Sequence, residues 1–258
     1  MIAARAALVA VAIAASACAA RAPERPGGIA VAAPEAVAAL AAATRHCHPL
    51  RTATAEIRLT GHAARERVRA RLLAGFAEPQ SLRLEALAPF GPPALILASD
   101  GAATTLFFPR DAQVLRDAPV ASVLDALTGL ALDAAELRQV IFGCVAGDGG
   151  RGTRYGTAWQ VVETGAGRAF LKGGVLVAAD YRGWQVDYAA HEHGIARTVR
   201  VRRVLPHGVI DLVAALANVE TNVDLGTAAF TVSVPVAASP ITLEDLRASS
   251  PFAAREPS

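Results

Sequence analysis

Lysine is all but absent from this 258-residue chain: Lys172 is the single one, and arginine supplies the other basic side chains. So uniform a preference reads as coding bias rather than as a device for bidentate phosphate recognition. Aromatic residues make up only 5% although hydrophobic residues make up 53%, because alanine and valine dominate the apolar content. Charged residues are 19%, below the roughly 25% of an average soluble domain, which argues against a disordered chain. The 25 basic and 23 acidic side chains leave a net charge of +2, which removes the main electrostatic basis for nucleic-acid binding. A mean hydropathy of +0.36 hints at a membrane protein, yet no stretch approaches the ~20 apolar residues of a spanning helix.

The marks of catalysis are missing too. No Gly-x-Ser-x-Gly elbow occurs, and Asp, Ser and His are too scattered to nominate a triad. Gly147-Asp148-Gly149-Gly150-Arg151-Gly152 is glycine-rich, but it lacks the Gly-Lys-Ser/Thr ending and opens no helix, so the phosphate-cradle logic fails. His46-Cys47-His48 offers imidazole and thiolate ligands. Neighbouring residues at a helix end point in different directions, however, and no second ligand cluster has matching spacing, so no metal site is expected. His191-Glu192-His193 lies where a hairpin turn is expected and reads as a polar loop. The chain is expected to be no enzyme and to carry no cofactor.

What is present begins with an address label. Arg5 precedes an uninterrupted apolar run, Ala6 to Ala15, which is the layout of a secretory signal and too short to span a bilayer. The run ends in Ala15-Ser16-Ala17-Cys18. A cysteine at the first mature position resembles the bacterial lipobox, with Ala15 where a leucine is usual. That resemblance implies a signal peptide over 1–17, acylation of Cys18, and a mature chain held on a membrane by its acyl groups. The other reading is an ordinary signal containing a chance cysteine. Ala19, rather than Asp, points to the outer membrane. Residues 18–34 carry Pro23, Pro26, Gly27, Gly28 and Pro34 without apolar periodicity and read as a lipidated flexible tether.

The remainder, 35–246, reads as one domain, with a frayed tail over 247–258. Pro34 opens an alanine-rich helix. From Thr52 the period changes to two. Ala55, Ile57 and Leu59 alternate with Glu56, Arg58 and Thr60; Val68, Ala70 and Leu72 alternate with Arg67, Arg69 and Arg71; Leu82 and Leu84 alternate with Arg83 and Glu85. Such alternation predicts antiparallel strands with one buried and one wet face, and makes the arginine row a solvated face rather than an anion site. Two amphipathic helices follow, Val120–Leu127 and Ala134–Phe142, the second capped by Asp133. Strands resume from Trp159, and Ala228–Val234 reads as the last. About ten strands in this order predict a mainly β fold with some α: a single curved antiparallel sheet, a half-barrel, wrapped around lid helices.

Val68-Arg69-Ala70-Arg71-Leu72, Leu82-Arg83-Leu84-Glu85 and Ala88-Pro89-Phe90-Gly91 with Leu95-Ile96-Leu97 resemble the first strands of the LolB family of outer-membrane lipoprotein receptors. Leu127-Thr128-Gly129-Leu130 with Leu137 to Gly143 is similar to its paired lid helices, and Gly183 to Tyr188 to its late strand pair. The likeness spans roughly residues 35–216; the tail from Val219 is more like the soluble LolA carrier branch. It implies a monomer on the periplasmic face of the outer membrane, holding lipid or lipoprotein acyl chains and receiving them from a soluble periplasmic carrier. The expected acyl-chain lining is Leu82, Leu84, Leu95, Leu97, Phe107, Trp184, Tyr188, Val199 and Val201, although periodicity cannot tell a lined cavity from a packed core. A structural envelope lipoprotein with a filled sheet and no ligand is the alternative. Phe90 corresponds to an apolar residue on a protruding membrane-inserting loop, or else folds back as a plug. Once Cys18 is lipidated, Cys47 and Cys144 remain in an oxidising periplasm. They sit near the ends of helices that the family brings together, so the resemblance implies a disulfide.

Overall fold

The computed structural model describes residues 25–63, 66–144, 150–205 and 208–249. The signal region, Cys18 and the last nine residues lie outside them. Strand β1 (Ala30–Ala32) leads into helix α1 (Glu35–Ala43) and a 3-10 turn over Arg45–Cys47. Six strands follow: β2 (Thr52–Ala63), β3 (Glu66–Ala77), β4 (Ser81–Ala86), β5 (Leu95–Ser99), β6 (Thr104–Phe108) and β7 (Gln113–Arg116). Helices α2 (Val120–Thr128) and α3 (Ala134–Phe142) interrupt the sheet. It resumes with β8 (Gly152–Tyr155), β9 (Trp159–Thr164), β10 (Gly167–Lys172), β11 (Val175–Tyr181), β12 (Trp184–Glu192), β13 (Ile195–Leu205) and β14 (Gly208–Thr221). A 3-10 turn (Thr227–Phe230), β15 (Ser239–Pro240) and α4 (Leu243–Ser249) complete the described chain.

All fifteen strands belong to one curved, unclosed sheet in the order β1-β8-β9-β10-β11-β12-β13-β14-β2-β3-β4-β5-β6-β7-β15. Every pairing is antiparallel except β7 with β15. The chain builds one arm from β2 to β7, crosses over through the two helices, and returns along the other arm so that β14 zips onto β2 over ten residue pairs. The expected half-barrel is present, with more strands than the sequence pattern resolved.

Register turns the alternation into two faces. Leu84, Leu97 and Leu106 stand opposite one another on β4, β5 and β6, and Val186, Val201 and Leu212 do so on β12, β13 and β14. Both rows belong to one buried core with residues of α1, α2 and α3. At its centre Phe76 and Phe142 meet edge to face, with ring centroids 5.7 Å apart. The helix ends are set by local chemistry. Asp133 accepts from the Glu136 N–H while Glu136 accepts from the Asp133 N–H, a reciprocal capping box, and Gly143 closes α3 at φ 69°.

Three expectations change. Residues 25–34, read as part of the tether, include β1, which pairs with β8, and Arg25, which is bonded to the domain. Ala228–Val234, read as the last strand, instead holds a 3-10 turn followed by unpaired chain. That segment crosses the outer face of β4, where Arg83 donates to the carbonyl oxygens of Ala229 and Thr231, so Phe230 is buried on top of the sheet rather than within it. Residues 247–249 of the expected frayed tail end α4.

The capping box carries a measurable share of α3 stability. Asp133→Ala should lower the unfolding free energy by about 1 kcal/mol, read as a reduced urea midpoint at unchanged slope.

Candidate functional site

The concave face is where a ligand would have to sit, and the structure places nine expected lining residues individually. Leu82, Leu97 and Val199 are fully buried, and Leu84, Trp184, Tyr188 and Val201 nearly so, all within the main core. Leu95 is half-buried at its margin. Phe107 is a correction. It stands opposite Ile96 and Val114, one register step from Leu106, and so points to the convex face. The sequence could not show this because Leu106-Phe107-Phe108 is apolar at three consecutive positions. The 3-10 turn around Phe230 lies on that same side of the sheet, over β4.

The expected lining is therefore a packed layer under the helices. Two cavities lie at its margins. One, of about 370 Å³, is lined by Ser99, Thr104, Asp117, Val120 and Asp133 near the start of the two helices. The other, of about 310 Å³, is bounded by α1, the end of α3 and strands β11 to β13. Its walls include Ala43, His46, Phe142, Leu176, Tyr188 and His191, and only Tyr188 among them belongs to the expected set.

This second cavity is built by three local devices. Tyr188 is buried and donates to the Val140 carbonyl at 3.1 Å, tying β12 to the last turn of α3; desolvation holds its phenol far above the ordinary range. Gly194 takes the β12–β13 turn at φ 85°, a left-handed backbone that favours glycine, and a Cβ there would sit in contact with the His46 ring, 3.4 Å from Nδ1. Cys47 and Cys144 are joined, with Cα atoms 5.6 Å apart, which straps the end of α1 to the end of α3 across 97 residues.

His46 departs from the expectation that adjacent residues at the helix end diverge. Its Nε2 lies 3.4 Å from Cys47 Sγ and 2.8 Å from the Phe142 carbonyl oxygen, because the carbonyls freed at the end of α3 draw the ring toward the sulfurs. His46, Cys47 and Cys144 thus gather in one place, but sulfurs committed to a disulfide have no thiolate to offer a metal. His191, read as part of a polar loop, also differs. It pairs with Ala196 in the β12–β13 ladder and faces the cavity. Desolvation lowers its pKa, and the nearby His46 acts in the same direction. No spacing rule marks His191 for this role; its placement depends on the turn two residues later.

Phe90 is 87% exposed on the β4–β5 loop. The loop leaves the sheet beside Arg71, whose carbonyl accepts from the Leu87 N–H, and the Phe90 carbonyl accepts from Arg110. Cys18 lies outside the described residues, as do five of the residues between α3 and β8.

Neither a protein-family model nor a curated protein matches this chain. Among solved structures, it is similar to a DUF1329 family protein from Desulfovibrio piger, at 13% identity and a TM-score of 0.48, covering 78% of this chain and 98% of that one. A LolA superfamily protein from Nitrosomonas europaea gives 12% identity and a TM-score of 0.46 over 78% and 98% of the two chains. A Vibrio parahaemolyticus domain described as an outer-membrane lipoprotein-sorting protein gives 12% and 0.41 over 76% and 97%.

Two measurements test this region. Thiol counting on denatured, unreduced protein should find neither Cys47 nor Cys144 reactive. Their joint replacement by serine should cost at most about 4.7 kcal/mol, the chain-entropy value for a loop of this size; two reactive thiols would refute the bridge. For His191, the folded pKa lies below the unfolded one, so its contribution is present above the ordinary histidine range and is lost as pH falls through the folded value. The parent should therefore lose more thermal stability between pH 7.5 and pH 5, roughly the span of histidine titration, than His191→Gln does.

Proposed function

We propose that the chain is a lipid-anchored envelope protein that binds acyl chains, acting in lipid or lipoprotein transfer at the periplasmic face of the outer membrane. In this reading Cys18 carries the anchor, the protein is a monomer without enzymatic activity, and cargo arrives from a soluble carrier. The observation that carries the reading is the pairing of a continuous apolar concave face with a small cavity at its edge. At about 310 Å³ that cavity reaches the lower end of the range for ligand pockets. Its walls are mainly apolar, and two nine-residue helices are the chief cover over the adjoining core. The end of α3 is held by the disulfide and by Tyr188, so α2, bounded by Pro119 and by Gly129 at φ 72°, is the segment whose displacement would open the half-barrel.

A second reading has an observation of its own. Leu82 and Leu97 have 0% exposure and Leu84 8%, which suits a structural envelope lipoprotein whose sheet is permanently filled.

Titration with a fluorescent fatty acid separates the two. Saturable binding is expected, and Ala43→Phe, which intrudes on the cavity from its half-buried margin, should weaken it at least roughly tenfold while leaving the melting temperature nearly unchanged, since one aromatic fills most of a pocket this small. Absence of saturable binding to the folded parent puts the scaffold in its place. Phe90→Glu should leave probe binding intact and slow transfer to liposomes, because one exposed aromatic can enter the acyl region beside the mouth; transfer at the parental rate would remove the insertion role.

A further inference from the structure

The outer face of β2 and β3 carries an arginine ladder that the acyl-binding reading does not use. Arg71 stands directly opposite Arg58, Arg69 opposite Thr60, and Arg67 opposite His62. All four arginines and His62 are exposed. Like charges placed opposite each other on neighbouring strands are destabilising. Elsewhere on the same face arginine is neutralised locally: Arg200 and Arg202 share Asp211, and Arg83 holds Glu85. Among the described residues, no carboxylate forms an ion pair with Arg58, Arg67, Arg69 or Arg71. The nearest acid along β2, Glu56, accepts instead from Asn218.

A second observation says what the ladder meets. Arg25, at the start of the described chain, is latched onto this same convex face. It donates to Asp187 at 2.8 Å, lies 3.6 Å from Asp180, and sits 4.8 Å over the Phe170 ring. Asp187 is opposite Arg200, Arg200 opposite Val213, Val213 opposite Thr60, and Thr60 opposite Arg69. Latch and ladder therefore share one cross-strand row, four strand spacings or about 19 Å apart. Six residues lie between Cys18 and Arg25, which are therefore seven residue steps apart, a reach of about 25 Å at full extension. An anchor at Cys18 leaves the bilayer no farther than that from Arg25, whose guanidinium lies on the convex face where the arginines project.

We propose that the convex face of the β2–β3 hairpin docks on the anionic headgroups of the membrane that holds the anchor. This rests on the anchoring at Cys18 in the reading above. The short tether keeps the face near the surface, and the ladder supplies the attraction. The Phe90 loop, which leaves the sheet beside Arg71, is carried to the same surface.

The test uses the chain from residue 18 onward with Cys18→Ser, so that the surface acts without the lipid. Co-sedimentation is measured with phosphatidylcholine vesicles and with vesicles that also contain phosphatidylglycerol, at low and high salt. Binding is expected only to the anionic vesicles and should fall with salt. A basic residue near such a surface strengthens binding by about fivefold, so Arg69→Gln with Arg71→Gln should weaken it about 25-fold. The matching lysine pair should retain binding, and equal thermal melts show that the exposed changes leave the fold intact. Equal binding to neutral vesicles, or undiminished binding by the glutamine pair, overturns the proposal, as does retention by an acidic protein with none by vesicles. The outcome is separable from cargo binding, because the fatty-acid titration reads the concave side and this assay reads headgroups.

Discussion

A sheet that does not close must bury one face along its whole width. Fourteen spacings between fifteen strands make a strip about 67 Å wide if laid flat, whereas each of the three helices on its inner side has nine residues and is only about 14 Å long. Helices that small can cover such a strip only if it curls around them. The strong right-handed twist of antiparallel strands supplies the curl. The main core, which joins residues of both arms to these three helices, is the consequence. Curvature, lid and cavity are thus one constraint. Between the two cavities, Phe76 of β3 and Phe142 of α3 meet edge to face, so helix and sheet are in direct contact there.

The same geometry explains which parts of the chain could be read from its sequence. Period-two alternation on β2, β3 and β4 gave their faces correctly because arginine and glutamate alternate there with aliphatic residues. It fails at Phe107, where three apolar residues in succession leave the phase undetermined and the outward one is buried all the same. The segment returning across β4 departs from its own pattern, since Phe230-Thr231-Val232-Ser233-Val234 alternates like a strand yet finds no partner edge. Short edge strands escaped for a related reason. Ala30–Ala32 has no alternation to detect, and its pairing with β8 is decided by where α1 lands on the sheet.

The region around His46 shows a different limit. Cys47 and Cys144 carry no mark of pairing beyond their number and setting, and it was the resemblance that brought the two helix ends together. The imidazoles were beyond reach altogether. His46 is directed by the free carbonyl of Phe142 and His191 by a turn at Gly194, so each depends on the conformation of a distant segment. Polar groups at the end of a helix need partners, and here that need places the His46 imidazole and the Tyr188 phenol at the wall of one small cavity. A sequence shows the donors and acceptors; only the fold decides which orphaned carbonyl each one answers.

Electrostatics divide the molecule more sharply than its net charge of +2 suggests. From β10 to β14 the convex face is compensated: Arg168 with Asp180, Arg25 with Asp187, and Arg200 and Arg202 with Asp211. The Arg200 guanidinium holds the Asp211 carboxyl below its ordinary range, whereas burial pushes Asp187 up in spite of Arg25. Releasing Arg25 would therefore expose the cost of a desolvated carboxylate, which makes the latch more than a surface ion pair of negligible worth. From β2 to β3 the compensation stops. A fold that neutralises arginine so consistently on one half of a face and leaves it bare on the other keeps a repulsion it could have relieved with a single glutamate opposite Arg71. In the docking proposal, the counter-charge comes from the anionic surface outside the chain.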